Sequence, residues 1–217
     1  MPDNTDARTA ILSGIRASLG PPSDAAAIAA GYAAVPRNYK RVGTLAGEAL
    51  LALFMQRLAE YGAGVHRATP EGLRDAIARI LAGRGRKRIA VPEGLPAAWL
   101  PSGPEFQNAT DFDYFQLDKA DSVLTGCTVA IAETGSIVLQ NAPAQGPRRL
   151  SLLPDHHLCV VLAGQVVETV PEAFARLETT ATLPTTFISG PSATADIEMT
   201  RIQGVHGPRL LDVLLVA

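Results

Sequence analysis

Cysteine is scarce in this sequence. Cys127 and Cys159 are the two cysteines among 217 residues, and no C-x-x-C pair is present. The chain therefore lacks the ligands to hold an iron–sulfur cluster by itself. Both cysteines sit in apolar strings, TGCTVAIA and HLCVVL, which read as two buried, reduced thiols on strands. Basic excess is missing too. The net charge is −2, and a nucleic-acid partner, which needs a basic face, is not expected. No apolar run approaches the roughly 20 residues of a membrane helix. The opening MPDNTDARTA shows no basic stretch followed by an apolar run, so no secretory signal is read there and a cytoplasmic protein is expected. A G-x-G-x-x-G loop is also absent, which argues against a Rossmann nicotinamide site.

What is present describes a folded chain. Hydrophobic residues make up 47% and charged residues 18%, a globular balance that supports one sizeable α/β domain. Residues 5–19, TDARTAILSGIRASL, place Ile11, Leu12, Ile15 and Leu19 at helical spacing, and Gly20-Pro21-Pro22 ends that helix. With the Ala-rich piece that follows, residues 1–40 read as a helical arm, which packs on its own domain or on a partner chain. Residues 41–217 read as the main domain. In it, 44–61 is expected to be a helix with Leu45, Ala49, Leu53 and Leu58 facing the core. The strand AGVHRA, the helix PEGLRDAIARILAG and the strand KRIAVP then alternate, which predicts an open, mostly parallel sheet with helices on both faces. TVAIAETGSIVLQ and CVVLAGQVVET each hold two β-rich runs and are expected as hairpins, followed by a helix over 171–178 and strands at LPTTFIS and LLDVLLV.

Three stretches can carry chemistry. In FISGPSATADIEMTRIQGVHGP, Ser189, Gly190 and Ser192 break a strand and can aim N–H groups at an anion. Ligands of open α/β sheets bind beyond the carboxyl ends of strands, where this turn is placed. Asp196 and Glu198 share a face if the segment is extended, and His206 stands between Gly204 and Gly207, at a pocket edge where it can relay a proton. In AETGS, Glu133 lies between apolar strands as a candidate buried base or nucleophile, with Thr134, Gly135 and Ser136 beside it. In GPRRLSLLPDHH, Arg149 is suited to clamp a carboxylate or phosphate. A structural alternative stands beside each: Asp196 capping a turn, His206 bonded to a carbonyl, Glu133 capping a hairpin. No metal is expected at His156-His157, because neighbours on an extended segment point oppositely and no third ligand is spaced nearby.

Taken together and in this order, AETGSIVL, RRLSLLPDHH and ISGPSATADIE with GVHGP resemble the LUD-domain family, in its C-type lactate utilization branch, over about residues 40–217. The resemblance implies a fold like that of ribose-5-phosphate isomerase, glucosamine-6-phosphate deaminase and the CoA transferases. It also implies a place in a multi-subunit system oxidising L-lactate to pyruvate, with the iron–sulfur clusters on partner subunits and no cofactor in this chain. Catalytic residues do not carry over from it. Two readings follow. In the first, the chain is a subunit whose pocket, lined by 133–136, 149–157 and 189–207, binds a small anion or a partner's loop; a homo-oligomer is compatible with it. In the second, it is a stand-alone acyl or CoA transferase with Glu133 as nucleophile, by analogy of fold.

Overall fold

The computed structural model describes residues 4–20, 24–194, 202–203 and 207–217. The chain divides into two compact units, Met1–Tyr39 and Lys40–Ala217. The first holds helices α1 (Asn4–Leu19) and α2 (Ala25–Ala34), the latter capped by the Asp24 carboxylate on the N–H of Ala26. The second runs α3 (Gly47–Glu60), β1 (Gly64–Ala68), α4 (Leu73–Gly83), β2 (Arg88–Val91), β3 (Glu105–Asn108), α5 (Tyr114–Asp118) and β4 (Ser122–Thr125). It continues with β5 (Val129–Ile131), β6 (Ser136–Gln140), α6 (Arg148–Leu152), β7 (His156–Leu162), β8 (Val166–Val167) and α7 (Val170–Leu177). The last elements are β9 (Thr185–Ile188), the two-residue ladder of β10 (Ala193–Thr194) with β11 (Ile202–Gln203), and β12 (Leu210–Val216).

Six strands form one sheet in the order β1-β12-β7-β4-β2-β3, every pairing parallel. A second sheet, β8-β5-β6-β9, pairs antiparallel except at β5–β8. The expected α/β class with an open parallel sheet is therefore found, with the second sheet as its main elaboration. Layers follow from which side chains each strand sends to which face. On one face of the large sheet, Leu158, Val160 and Leu214 pack on Leu73, Ile77 and Leu81 of α4. On the other, Cys159, Val161 and Val213 meet Phe54 and Leu58 of α3, and Ala130 and Ile137 of the small sheet. The outer face of the small sheet, with Val129, Ile131 and Val138, is closed by Ala173 and Leu177 of α7. That helix starts at a reciprocal cap between Thr169 and Glu172, worth about 1 kcal/mol.

Two expectations are corrected. Leu51, Phe54 and Leu58 are the buried stripe of α3; Ala49 is exposed, Leu53 is half-buried, and Leu45 precedes the helix. Spacing alone left the phase of the stripe open. CVVLAGQVVET is not a hairpin: β7 belongs to the large sheet, while β8, after a turn at Ala163–Gln165, crosses to the small sheet and pairs parallel with β5. TVAIAETGSIVLQ does form the expected antiparallel hairpin.

A buried ion cluster ties β12 to its surroundings. Asp212 is fully buried. Arg84, just past α4, donates Nε to Oδ2 at 2.8 Å and Nη2 to Oδ1 at 3.0 Å. His66 Nε2 lies 2.9 Å from Oδ1 and His156 Nε2 2.9 Å from Oδ2. Burial alone would raise the Asp212 carboxyl; hydrogen bonds from His156, His66 and Arg84 reverse this and hold it well below the carboxylate range. Gly64, the register partner of Asp212 on β1, has no side chain because a Cβ there would stand 1.8 Å from Asp212 Oδ1. Removing the carboxylate leaves the buried His156 without its acceptor, whereas Arg84, 38% exposed, can turn to solvent. Asp212→Ala is expected to lose about 1–3 kcal/mol in urea unfolding, and Gly64→Ala to destabilise through the same contact; wild-type midpoints for both would refute this.

Candidate functional site

The cleft lined by three of the predicted residues, Ser189, Gly190 and Ser192, has a volume of about 260 Å³. Its polar wall is made by Arg148, Ser151, His157, Ser189 and Ser192, with the Gly190-Pro191 turn between the last two. Leu152, Ile188 and Leu211 supply apolar wall. No Asp or Glu is among its described lining residues. Arg148, Ser151 and Leu152 reach it together because residues i, i+3 and i+4 share one face of α6. His157 and Leu211 are register partners on neighbouring strands and so face the same side.

His157 is the chemically distinctive member. Its ring is fully buried. Nε2 lies 2.7 Å from Thr125 Oγ1 on β4, while Nδ1 is buried with no hydrogen-bond partner among the described residues. Burial, with the neighbouring His156 and Arg148, pushes the imidazole down to about 3, so it is neutral at ordinary pH. Arg148 is exposed at the rim and makes no ion pair with any described residue. Ser189 Oγ lies 2.6 Å from Ser136 Oγ, which accepts from Thr134 Oγ1 at 2.8 Å. A chain of hydroxyls thus runs from the β5–β6 hairpin to the pocket wall. Gly207 packs against Ser192 and Leu152, where a Cβ would stand 3.5 and 3.6 Å from them.

The expected site is therefore assembled in part. Ser189, Gly190 and Ser192 line the cleft, and Ser136, Thr134 and Gly207 stand behind it. Glu133 does not join them. Its carboxylate is 39% exposed and paired with Lys40 Nζ at 3.0 Å, beside Arg57, Glu60 and Tyr61 in a separate shallow depression. Lys40 also pairs with Glu168, whose carboxylate takes the N–H groups of Thr44 and Leu45. Gly135 has φ +57°, and a Cβ there would press on the Arg57 backbone at 2.8 Å, so its role is the turn. Arg149 leaves the cleft and donates to the Thr110 carbonyl. Asp196, Glu198 and His206 lie outside the described residues. Arg148, Ser151, His157 and Thr125 were not singled out as candidates; the i, i+3, i+4 phase of RRLSL and the divergence of the two histidines are the signals that point to them.

His156 and His157 do diverge. His156 Nδ1 is 2.9 Å from Ser122 Oγ and its Nε2 meets Asp212. Ser122, His156 and Asp212 have the order of a nucleophilic triad, but all three are fully buried and no described cleft includes Ser122, His156 or Asp212. Their bonds are mutual and complete, which makes them structural. A second cleft of about 470 Å³ lies over His66, Arg67, Arg79 and Arg84. It is larger, with Arg84 matched by Asp212, Arg67 by Glu48 and Arg79 making no ion pair with any described residue; what sets the His157 cleft apart is the buried imidazole nitrogen with no partner among the described residues. Among the described residues no group of three His, Cys, Asp or Glu is placed to hold a metal ion, and both cysteines are buried free thiols.

The His157 imidazole carries a pH signature. Its folded value, about 3, lies below the ordinary 6.5 or so of an unfolded chain. The unfolded state takes the proton first as pH falls, so this stability is intact above pH 6.5 and is lost progressively toward pH 3. Unfolding free energy is expected to drop by roughly 2 kcal/mol between pH 7 and pH 5 through this group. His157→Gln should flatten that interval in urea titrations; an unchanged slope would contradict the assignment.

Comparison with known proteins places this geometry in a family. The LUD domain model matches residues 51–216. A protein of Deinococcus radiodurans named lactate utilization protein C is 44% identical over 170 residues, covering 77% of this chain and 79% of that protein. One of the same name from Shouchella clausii is 36% identical over 98 residues, covering 43% of this chain and 42% of that protein. A crystal structure of a DUF162 family protein from Deinococcus radiodurans superposes with a TM-score of 0.70 at 38% identity, over 80% of this chain and all of that one.

Proposed function

Since the chain belongs to the LUD domain family, we propose that it serves lactate utilization and that the His157 cleft is where it holds a small anion. The carrying observation is the cleft's charge: an Arg148 guanidinium at the rim that pairs with no described residue, hydroxyls along the wall and no described carboxylate. A guanidinium beside hydroxyl donors suits a carboxylate. Relatives named for lactate utilization support a small organic acid as the occupant. Oxidising lactate to pyruvate removes two electrons and two protons. We assign the electron path to partner subunits carrying iron–sulfur clusters, a reading supported by the chain having two cysteines and no C-x-x-C pair. On this view the chain is a binding or positioning subunit of the assembled system. The transferase alternative finds no geometric support, because Glu133 is engaged by Lys40 and stands outside the cleft.

The test is genetic and biochemical together. In a strain deleted for this chain, the wild-type gene should restore lactate-dependent oxygen uptake. Arg148→Ala should restore it about tenfold less well or worse, the loss of one charge-assisted bond, with unfolding of the purified variant unchanged. Glu133→Gln should restore it nearly fully. Full activity of Arg148→Ala, with a defect confined to Glu133→Gln, would overturn the assignment.

A further inference from the structure

We propose that the open edge of β1 takes up an extended, acidic segment of a partner protein as an added strand of the large sheet, with Arg79 and Arg84 receiving its carboxylates. The His157 cleft plays no part in this, since the cleft beside β1 shares no lining residue with it. β1 ends the sheet: it pairs with β12 and with no other described strand. The N–H of Ala217 donates to the Ala68 carbonyl, which fixes the phase of that ladder. Main-chain groups of successive residues turn to alternate sides of a strand. Gly64, His66 and Ala68 therefore face β12, while the N–H and C=O groups of Val65 and Arg67 face away from it. No described residue bonds to those groups. An edge with unpaired donors and acceptors is a template for another strand.

What lies beside the edge selects the occupant. The cleft of about 470 Å³ is lined by both His66 and Arg67. Neighbours on a strand point to opposite faces, so a cleft touching both opens at the edge of β1 rather than over one face of the sheet. Its other wall is α4, from which Arg79 and Ile80 reach it. No Asp or Glu is among its described lining residues. Asp212 lies beneath, fully buried, and takes Nε and Nη2 of Arg84. It fixes that guanidinium and leaves Nη1 with no described partner. Arg79 makes no ion pair with any described residue. Val65 packs on the α3 side of the sheet and Ala68 on the α4 side, and an added strand would have the same two sides. Acidic side chains two apart on it would share the α4 side, where they meet Arg79 and Arg84 in charge-assisted bonds. A second copy of this chain fits poorly. Pairing β1 with itself about a two-fold axis sets His66 against its copy and brings the arginines of the two grooves together, which like-charge repulsion opposes.

Calorimetry of the full chain with short synthetic peptides tests this. A peptide alternating Glu with Val is expected to bind, and one alternating Lys with Val to bind at least about tenfold more weakly. Two further versions of the Glu peptide are N-methylated, one at every Val and the other at every Glu. Alternate N–H groups of an added strand face β1, so one version should bind like the parent and the other about tenfold more weakly or worse. Amide exchange of Val65 and Arg67 should slow when the parent peptide binds. Arg79→Glu, a change at an exposed side chain, should weaken the parent peptide about tenfold with an unchanged urea midpoint. Equal binding of the two methylated versions would reduce the interaction to charge attraction and overturn strand addition. Tighter binding of the Lys peptide, or binding of no peptide, would overturn the proposal outright. So would a dimer of the free chain in sedimentation whose formation protects Val65 and Arg67, since the occupant would then be a second copy. Should Arg79→Glu fail to fold, the comparison of peptides on the wild-type chain decides alone.

Discussion

Six of the seven residues of β7 are buried, because α3 and the small sheet close over one face while α4 closes over the other. Two adjacent imidazoles stand in that strand, and alternation sends them to opposite sides. Neither can turn to water. Each must find its partners inside the protein, and the two faces provide differently. On the α4 side, Ser122 and Asp212 satisfy both nitrogens of His156. On the other side, Thr125 satisfies one nitrogen of His157 and nothing described satisfies the second.

That asymmetry separates structure from function. The Asp212 cluster joins β1, β7, β12 and the end of α4 through four residues that leave the carboxylate fully engaged. Buried charge of this kind is costly to form and more costly to break, so it holds strands in register without being available to a ligand. A half-satisfied imidazole is different. An unmet buried polar atom costs about 1–3 kcal/mol, and it is tolerable where something can fill the gap. It lies against a cleft whose rim carries Arg148, which makes no ion pair with any described residue.

Much of the fold was legible in the sequence because alternation of strand and helix periods survives in AGVHRA, PEGLRDAIARILAG and KRIAVP. The second sheet was harder to read. β5, β6 and β8 are buried on both faces, and apart from Ser136 and Gln140 at the ends of β6 their residues are apolar and do not announce which sheet they join; CVVLAGQVVET looks like a hairpin for that reason. The site was legible where backbone chemistry marked it, at Ser189-Gly190 and Ser192. Elsewhere phase decided which residues reach the cleft. Arg148 and Arg149 are indistinguishable as letters, yet α6 turns one toward the cleft and the other to the Thr110 carbonyl. Glu133 looked buried between apolar runs, but its partner Lys40 lies 93 residues earlier, beyond any local pattern.

The second sheet also changes where a ligand can sit. The cleft follows the carboxyl end of β9, as the Ser-Gly-Pro turn suggested, but it stands at the amino ends of β7 and β12, whose second residues, His157 and Leu211, form its wall. In an open α/β sheet the carboxyl ends of parallel strands feed helix N-termini, whose aligned N–H groups attract anions. Here strands of opposite sense meet at one cleft, and sheets contribute little net dipole. The five-residue α6 is too short to build a strong field of its own. Positive charge among the described lining residues is therefore concentrated in the Arg148 side chain, while the His157 imidazole stands buried behind it. The first is exposed and screened by salt; the second is buried and shielded from it.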